Sequence, residues 1–223
     1  MYVGTNGIKL WCEKRGFGRP LLLLHGNGED HRIFDSLATA LEDDFTIYAP
    51  DSRCHGKSTD TPEISYNDMA EDIAGLIVGL GIEKPLVLGF SDGGIVGIIL
   101  AIKHPDLIGG LIACGANTKP CGLNAHYRIR SEIEFFFTRS KLLRLMITEP
   151  DISISALMRI KTPTAIVAGS NDLVRENETK KLAAAIRGAE LFILEGETHD
   201  SYVCGCARLA PIVRSFASKN CLK

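Results

Sequence analysis

Two kinds of hydrophobic pattern alternate along the chain. Short, continuous apolar runs are typical of strands covered on both faces, and longer stretches with apolar residues every three or four positions are typical of amphipathic helices. The predicted strands are residues 20–24, 45–49, 85–90, 108–114, 164–168 and 191–194. The predicted helices are residues 32–41, 67–79, a helix ending near 103, 126–138, 141–148, 152–160, 176–187 and 204–219.

This alternation predicts an α/β fold with a mostly parallel, doubly wound sheet. Before it, residues 2–13 read as a hairpin around Asn6-Gly7, the strongest two-residue hairpin signal. The alternation is interrupted at about 116–159, where helical stretches follow a connection and predict a short helical cap over the carboxyl ends of the strands. The length of 223 residues fits a single domain, 1–223.

Composition and charge exclude several classes of protein. The net charge of −2 provides no electrostatic basis for binding nucleic acid or an anionic membrane. No apolar run is long enough to span a bilayer, and the N-terminus lacks the features of a secretion signal. Seven cysteines without framework spacing, including an isolated Cys204-x-Cys206, indicate reduced thiols rather than disulfides or a zinc site. We therefore expect a soluble cytoplasmic protein.

The richest chemical motif is the stretch around Ser91. Gly89-Phe90-Ser91-Asp92-Gly93 matches G-x-S-x-G and stands between an apolar run of strand length and one of helix length. A sharp strand-to-helix turn favours residues without a Cβ two positions before and after the serine, and it exposes the serine hydroxyl. We therefore expect Ser91 to be a nucleophile.

A serine hydroxyl needs a base, and the base needs an acid that orients it. In sheets with this turn the chain order is serine, acid, histidine. Asp172 and His199 both follow predicted strands, so they are expected at the same edge of the sheet as Ser91. Asp200 is a poorer acid, because a residue next to His199 cannot readily bond back to its ring.

The remaining histidines are weaker candidates for the base. His25 and His55 precede the serine and break the required order, and His104 stands at a helix end.

The oxyanion of an acyl-transfer intermediate also needs fixed hydrogen-bond donors. We expect the backbone N–H of Asp92, at a helix N-terminus, and that of Asn27, in the loop after an early apolar strand, to supply them.

Together these motifs resemble the α/β-hydrolase superfamily over nearly the whole chain. The shared landmarks are His25-Gly26-Asn27-Gly28, residues 51–58, the Ser91 turn, Gly169-Ser170-Asn171-Asp172 and Gly196-Glu197-Thr198-His199. The resemblance implies an α/β-hydrolase fold, a Ser91–Asp172–His199 triad, and neither metal nor organic cofactor. Cys54 stands where the superfamily's D-x-R-G-H-G-x-S loop has a glycine, so the backbone of that loop is expected to differ.

A narrower resemblance concerns the residue after the nucleophile. Ser91-Asp92-Gly93-Gly94, with the later Cys114-Gly115-Ala116-Asn117, looks like the valacyclovir-hydrolase (biphenyl-hydrolase-like) branch. That likeness implies that Asp92 attracts the ammonium group of an amino-acid ester. The alternative is that Asp92 only begins a helix, where the macrodipole favours an acid.

The cap is shorter than the multi-helix lids of typical relatives, which predicts an open, shallow pocket. Residues 135–137 and 142–146 are its candidate walls, and the alternative is that these apolar residues simply dock the cap onto the body. Gly28 and Phe136, with Asp92, are the candidate substrate contacts.

The favoured function is a serine hydrolase acting on a small-molecule acyl substrate, an ester or a related compound. The alternatives are hydrolysis of a C–C bond or a lactone by the same triad, and a ligand-binding receptor that turns over slowly, because one fold hosts many functions.

Overall fold

The computed structural model describes residues 1–220, which contain an eight-stranded sheet. The strand order is β1-β2-β4-β3-β5-β6-β7-β8, with antiparallel pairing at β1–β2 and β2–β4 and parallel pairing from β4 to β8. The strands are β1 Tyr2–Thr5, β2 Ile8–Arg15, β3 Arg19–Leu24, β4 Phe45–Pro50, β5 Leu86–Phe90, β6 Gly110–Cys114, β7 Thr164–Asn171 and β8 Glu190–Thr198. The predicted α/β class and mostly parallel sheet are confirmed.

Eight α-helices lie within the described part of the chain. They are α1 Asp35–Leu41, α2 Tyr66–Gly79, α3 Asp92–Lys103, α4 Ala125–Thr138, α5 Lys141–Thr148, α6 Ile154–Leu157, α7 Glu176–Ala185 and α8 Ala210–Lys219. Helices α4 to α6 occupy the predicted cap segment between β6 and β7. None of the helices formed by residues 1–220 is long and apolar enough to cross a membrane.

The apolar strands are covered on both faces, as their continuous hydrophobic runs predict. In β3, Leu22 and Leu24 belong to the hydrophobic core that includes α2, α3 and α7. Leu21 and Leu23 belong to the second core, with α1 and α8. This alternation follows the two-residue period of a strand, so a single apolar run anchors helices on both sides.

Three predicted helices differ from the observed ones. The 32–41 stretch is split into a 3-10 turn, His31–Phe34, and α1, and the 152–160 stretch forms only the single turn α6. The last helix starts at Ala210 instead of residue 204, because turns precede it and Gly205 adopts a φ of +65°. Pro211, in the first turn of α8, suits a helix start and not its interior.

The topology creates a crevice beside β3. The chain passes from β3 to β4 on one side and later returns to place β5 on the other side. Loops at the carboxyl ends of such neighbouring strands diverge, and open α/β sheets bind ligands in that crevice. The loop after β3 and the turn at Ser91 therefore face the same space.

Candidate active site

Ser91 occupies a strained turn between β5 and α3. Its backbone has φ +53° and ψ −115°, a conformation that residues with side chains rarely adopt. A Cβ on Gly93 would lie 2.1 Å from the carbonyl oxygen of Leu24, and a Cβ on Gly89 would lie 2.1 Å from that of Gly93. Both glycines are therefore required by backbone contacts, which explains the G-x-S-x-G spacing.

The three predicted catalytic side chains are brought together in one hydrogen-bonded chain. Ser91 Oγ lies 3.0 Å from Nε2 of His199, and Nδ1 of His199 lies 2.6 Å from Oδ1 of Asp172. Asp172 follows β7 directly and His199 follows β8, so adjacent parallel strands deliver the acid and the base. This geometry allows His199 to accept the serine proton while Asp172 orients the ring.

Asp172 is held as an ionised acceptor. Burial alone would raise the pKa of its carboxyl group. The hydrogen bond and charge of His199 and the backbone N–H groups of Val174 and Gly169 lower this pKa by more, so the net pKa lies below the usual value. Those N–H groups donate to Asp172 at 3.0 and 3.3 Å. The Tyr202 hydroxyl also donates to Oδ2, at 3.4 Å.

The two predicted oxyanion donors lie at the same cavity as the serine. Asn27 and Asp92 both line it. The N–H of Asp92 lies in the first turn of α3, where helical N–H groups have no partner in the helix. The N–H of Asn27 makes no hydrogen bond to any residue between 1 and 220. Both donors are thus available to a developing oxyanion.

The side chains of Asn27 and Asp92 are bonded to each other. Asn27 Nδ2 donates to Asp92 Oδ2 at 2.9 Å and to the carbonyl oxygen of Leu142, in the cap, at 3.3 Å. The hydroxyl of Tyr66, at the start of α2, donates to Asp92 Oδ1 at 2.7 Å. Asp92 is only 2% exposed. Burial raises the pKa of its carboxyl group, although these two hydrogen bonds oppose the shift.

His25 and His55 serve the surrounding loops. The ring of His25 accepts the N–H of Ser52 at 2.9 Å, and that of His55 accepts the N–H of Gly28 at 3.0 Å. Burial, followed by the neighbouring His55, lowers the pKa of His25 to about 4, which keeps it neutral. Both rings therefore fix the loops after β3 and β4.

The cavity beside Ser91 has a volume of about 300 Å³ and an acidic lining. Four carboxyl side chains line it, Glu29, Asp92, Glu149 and Asp200, beside the triad's His199, and neither Lys nor Arg lines it within the described chain. Aromatic side chains, including Tyr66 and Tyr127, complete much of the wall.

Two of the candidate substrate contacts, Gly28 and Phe136, lie outside the lining of the cavity beside Ser91. Phe136 is 64% exposed and does not line the cavity. The less exposed side chains Tyr127, Ser131 and Phe135 lie on one face of α4. Residue 136 is rotated about 100° from residue 135 around the helix axis, so its side chain lies off that face. Gly28 also lies outside the lining, and its N–H faces His55. Of the predicted wall at 142–146, Met146 does line the cavity.

Tyr66, Tyr127 and Glu149 also line the cavity, although the sequence pattern did not single them out. Tyr66 and Glu149 are 83 residues apart and meet through a hydrogen bond from the Tyr66 N–H to Glu149 Oε2 at 3.0 Å. No local motif marks them. The sequence indicated only that Tyr66 lies near the start of a helix and Glu149 near the end of a cap helix.

Cys54 keeps the backbone conformation that glycine favours. Its φ is +65°, in the left-handed region that residues with a side chain rarely adopt. The side chain contacts Thr61, with Sγ 3.2 Å from Oγ1. A cysteine in this conformation carries a local cost in backbone energy that glycine would not.

One group of potential metal ligands lies in the loops after β3 and β4. Asp30, His31 and Asp51 place donor atoms within 4.8 Å of one another, the one such group in the described residues. His31 Nδ1 is bonded to Asp51 Oδ1 at 2.6 Å, and Asp30 is paired with Arg32. These donors already have protein partners, and they hold the loops together.

Comparison with known proteins identifies the family. The sequence profile of the alpha/beta hydrolase fold matches residues 19–139, more than half of the chain. The chain therefore belongs to the α/β-hydrolase family.

Individual relatives are consistent with this family. A 2-(acetamidomethylene)succinate hydrolase from Mesorhizobium japonicum is 39% identical over 113 residues, 50% of this chain and 40% of that protein. Matches to the first curated relatives span less than half of those proteins' length.

Solved structures extend the fold over the whole chain. A thermophilic esterase from Thermogutta terrifontis superposes with a TM-score of 0.82 at 23% identity, covering 99% of this chain and 98% of the other. An enol-lactonase from Burkholderia xenovorans LB400 gives 0.81 at 21% identity, with 98% and 100% covered. At these identities the likeness concerns the fold.

Proposed function

We propose that this protein is a serine hydrolase that cleaves a small ester or related acyl compound through an acyl-enzyme. The observation that carries the proposal is the hydrogen-bonded chain from Ser91 through His199 to Asp172, with Oγ–Nε2 and Nδ1–Oδ1 distances of 3.0 and 2.6 Å. Family membership supports the same chemistry.

The proposed reaction has two halves. Ser91 Oγ attacks the carbonyl carbon while His199 takes its proton, and the resulting oxyanion lies between the N–H groups of Asn27 and Asp92. His199 then protonates the leaving alcohol as the C–O bond breaks, which leaves an acyl group on Ser91. In the second half His199 removes a proton from water as the water oxygen attacks the acyl carbon. His199 then returns that proton to Ser91 Oγ as the Oγ–C bond breaks, and the acid leaves.

The cavity restricts the size of the substrate. A volume of about 300 Å³ is at the small end of ligand pockets, which span about 300–1,000 Å³. We therefore propose short acyl groups. An amino-acid ester whose α-ammonium binds Asp92 is a narrower possibility, but both oxygens of that buried carboxylate already accept hydrogen bonds.

Turnover of p-nitrophenyl acetate tests the proposal. We expect measurable release of p-nitrophenol by the wild type and loss of at least 10³-fold in kcat for Ser91→Ala. Ser155→Ala, at an exposed cap position, is the matched control and should retain wild-type turnover. A Ser91→Ala variant as active as that control would overturn the nucleophile assignment.

A further inference from the structure

The four carboxylates that line the active-site cavity are not equally free to bind a ligand. Asp92 accepts hydrogen bonds from Tyr66 and Asn27 on its two oxygens. Glu29 accepts the N–H of Gly26 on Oε2 at 2.9 Å, and its Oε1 accepts from the Cys204 thiol at 3.5 Å. Both groups are therefore committed to protein partners.

The remaining two carboxylates differ in position. Asp200 is exposed and accepts the Thr198 hydroxyl at 2.9 Å. Glu149 is half-buried and uses only Oε2, which accepts the N–H of Tyr66 at 3.0 Å. Its Oε1 has no hydrogen-bond partner among residues 1–220 and belongs to a side chain that lines the cavity. Asp200 also has one oxygen without a partner among these residues, but it is exposed to water, so Glu149 is the half-buried carboxylate with an oxygen left for a substrate cation.

Tyr66 sets the distance of Glu149 from the reacting carbonyl. Its backbone N–H binds Glu149 and its hydroxyl, at the far end of the side chain, binds Asp92. Asp92 also supplies an oxyanion N–H, so the carbonyl lies at the hydroxyl end of Tyr66. The length of the Tyr66 side chain separates these two contacts, which favours a cationic group several bonds from the carbonyl over an α-amino group.

The position of His199 decides which half of the substrate carries the charge. His199 protonates the leaving group, which must therefore depart on its side of Ser91. Tyr66 instead reaches the oxyanion donor Asp92 through its hydroxyl and Glu149 through its N–H, so this side of the cavity is left to the acyl group. The aromatic rings of the cavity, including Tyr127, also suit an alkylammonium group.

We propose that Glu149 binds a cationic group on the acyl part of the substrate, several bonds from the scissile carbonyl, and that Asp92 acts as a positioning residue for Asn27. This inference rests on the proposed serine hydrolase function and names its substrate class. Asp92, through Asn27, holds one oxyanion donor and ties it to the cap carbonyl of Leu142.

Two isosteric pairs of p-nitrophenyl esters test the inference. The long pair is 4-(trimethylammonio)butyrate and its uncharged analogue 5,5-dimethylhexanoate, and the short pair is trimethylammonioacetate and 3,3-dimethylbutyrate. The measured quantity is the ratio of kcat/KM, charged over neutral, within each pair. Comparing each variant with the wild type removes the different chemical reactivity of the esters.

Glu149→Gln keeps an oxygen that accepts the Tyr66 N–H but loses the charge. We expect it to lower the ratio for the long pair about tenfold, mainly through KM, and that for the short pair less than threefold. Asp151→Asn, which removes an exposed charge two residues away, is the matched control and should keep the wild-type ratio for both pairs. Equal ratios for Glu149→Gln and the control would overturn the assignment of Glu149.

Asp92→Asn has the opposite expected signature. It should lower kcat for charged and neutral esters alike, about tenfold, and leave their ratio within twofold of the wild type. Asn27→Ala should cost much less in that background than alone, because the two residues act together. Loss of the charge preference in Asp92→Asn would overturn its positioning role.

If the wild type hydrolyses neutral esters through Ser91 but shows no preference for the charged ester in either pair, only this inference fails. Absence of any Ser91-dependent turnover would instead overturn the proposed function.

Discussion

Nδ1 of His199 lies 2.6 Å from Oδ1 of Asp172, and this hydrogen bond fixes which ring nitrogen faces Ser91. With Nδ1–H donating to the carboxylate, Nε2 is left as the acceptor 3.0 Å from the serine hydroxyl. The contact depends on β7 and β8 ending side by side, so the sheet itself sets the orientation of the base.

Asp172→Asn should therefore lower kcat by about 10³–10⁴-fold with little change in KM, because the ring loses its correct tautomer. Steady-state kinetics with p-nitrophenyl acetate measures the effect. Asp200→Asn is the comparison, since Asp200 is adjacent to His199 but makes no bond to its ring, and we expect it to cost less than tenfold. The assignment of the acid is wrong if Asp200→Asn is the more damaging substitution.

Because the backbone of Ser91 is strained, we expect glycine to give a more stable protein than alanine at this position, the reverse of the usual order. At φ +53° a Cβ costs about 1–3 kcal/mol, so Ser91→Gly should be more stable than Ser91→Ala by about 1 kcal/mol in urea unfolding. Ala184→Gly, on the exposed face of α7, should show the usual loss of about 1 kcal/mol. A Ser91→Gly variant less stable than Ser91→Ala would contradict the strain.

Gly93 should tolerate no side chain. A Cβ there meets the carbonyl oxygen of Leu24 at 2.1 Å, and backbone atoms of β3 cannot move aside cheaply. Gly93→Ala should lose about 3 kcal/mol or more, whereas Gly4→Ala, which has open space and no positive φ, should change stability by less than about 1 kcal/mol. Thermal unfolding of the two variants compares them directly, and equal melting temperatures would refute the steric argument.

Asp92 should make stability depend on pH. Burial raises the pKa of its folded-state carboxyl group, so this group binds its proton more tightly in the folded protein than in the unfolded chain, where the pKa is about 3.9. As pH falls from 7 to 4.5, the wild type should therefore gain stability relative to Asp92→Asn. Urea midpoints of both proteins at the two pH values measure this, and a constant difference would contradict it.

Much of the site could be predicted because its chemistry is local to strand ends. Ser91, Asp172 and His199 each follow an apolar run, and parallel strands bring their carboxyl ends to one edge. Whether Phe136 lines the cavity could not be predicted in this way, because neighbouring residues of a helix lie on different faces and an error of one position changes the face. The contact between Tyr66 and Glu149 depends on how the cap meets α2, which no short pattern records.

Labelling with a fluorophosphonate probe, followed by mass spectrometry of the modified peptide, identifies the nucleophile directly. We expect one adduct per chain, on Ser91, with labelling slowed at least 10²-fold in His199→Ala because the base is missing. An adduct on another residue, or equal labelling of Ser91→Ala, would contradict the proposed nucleophile.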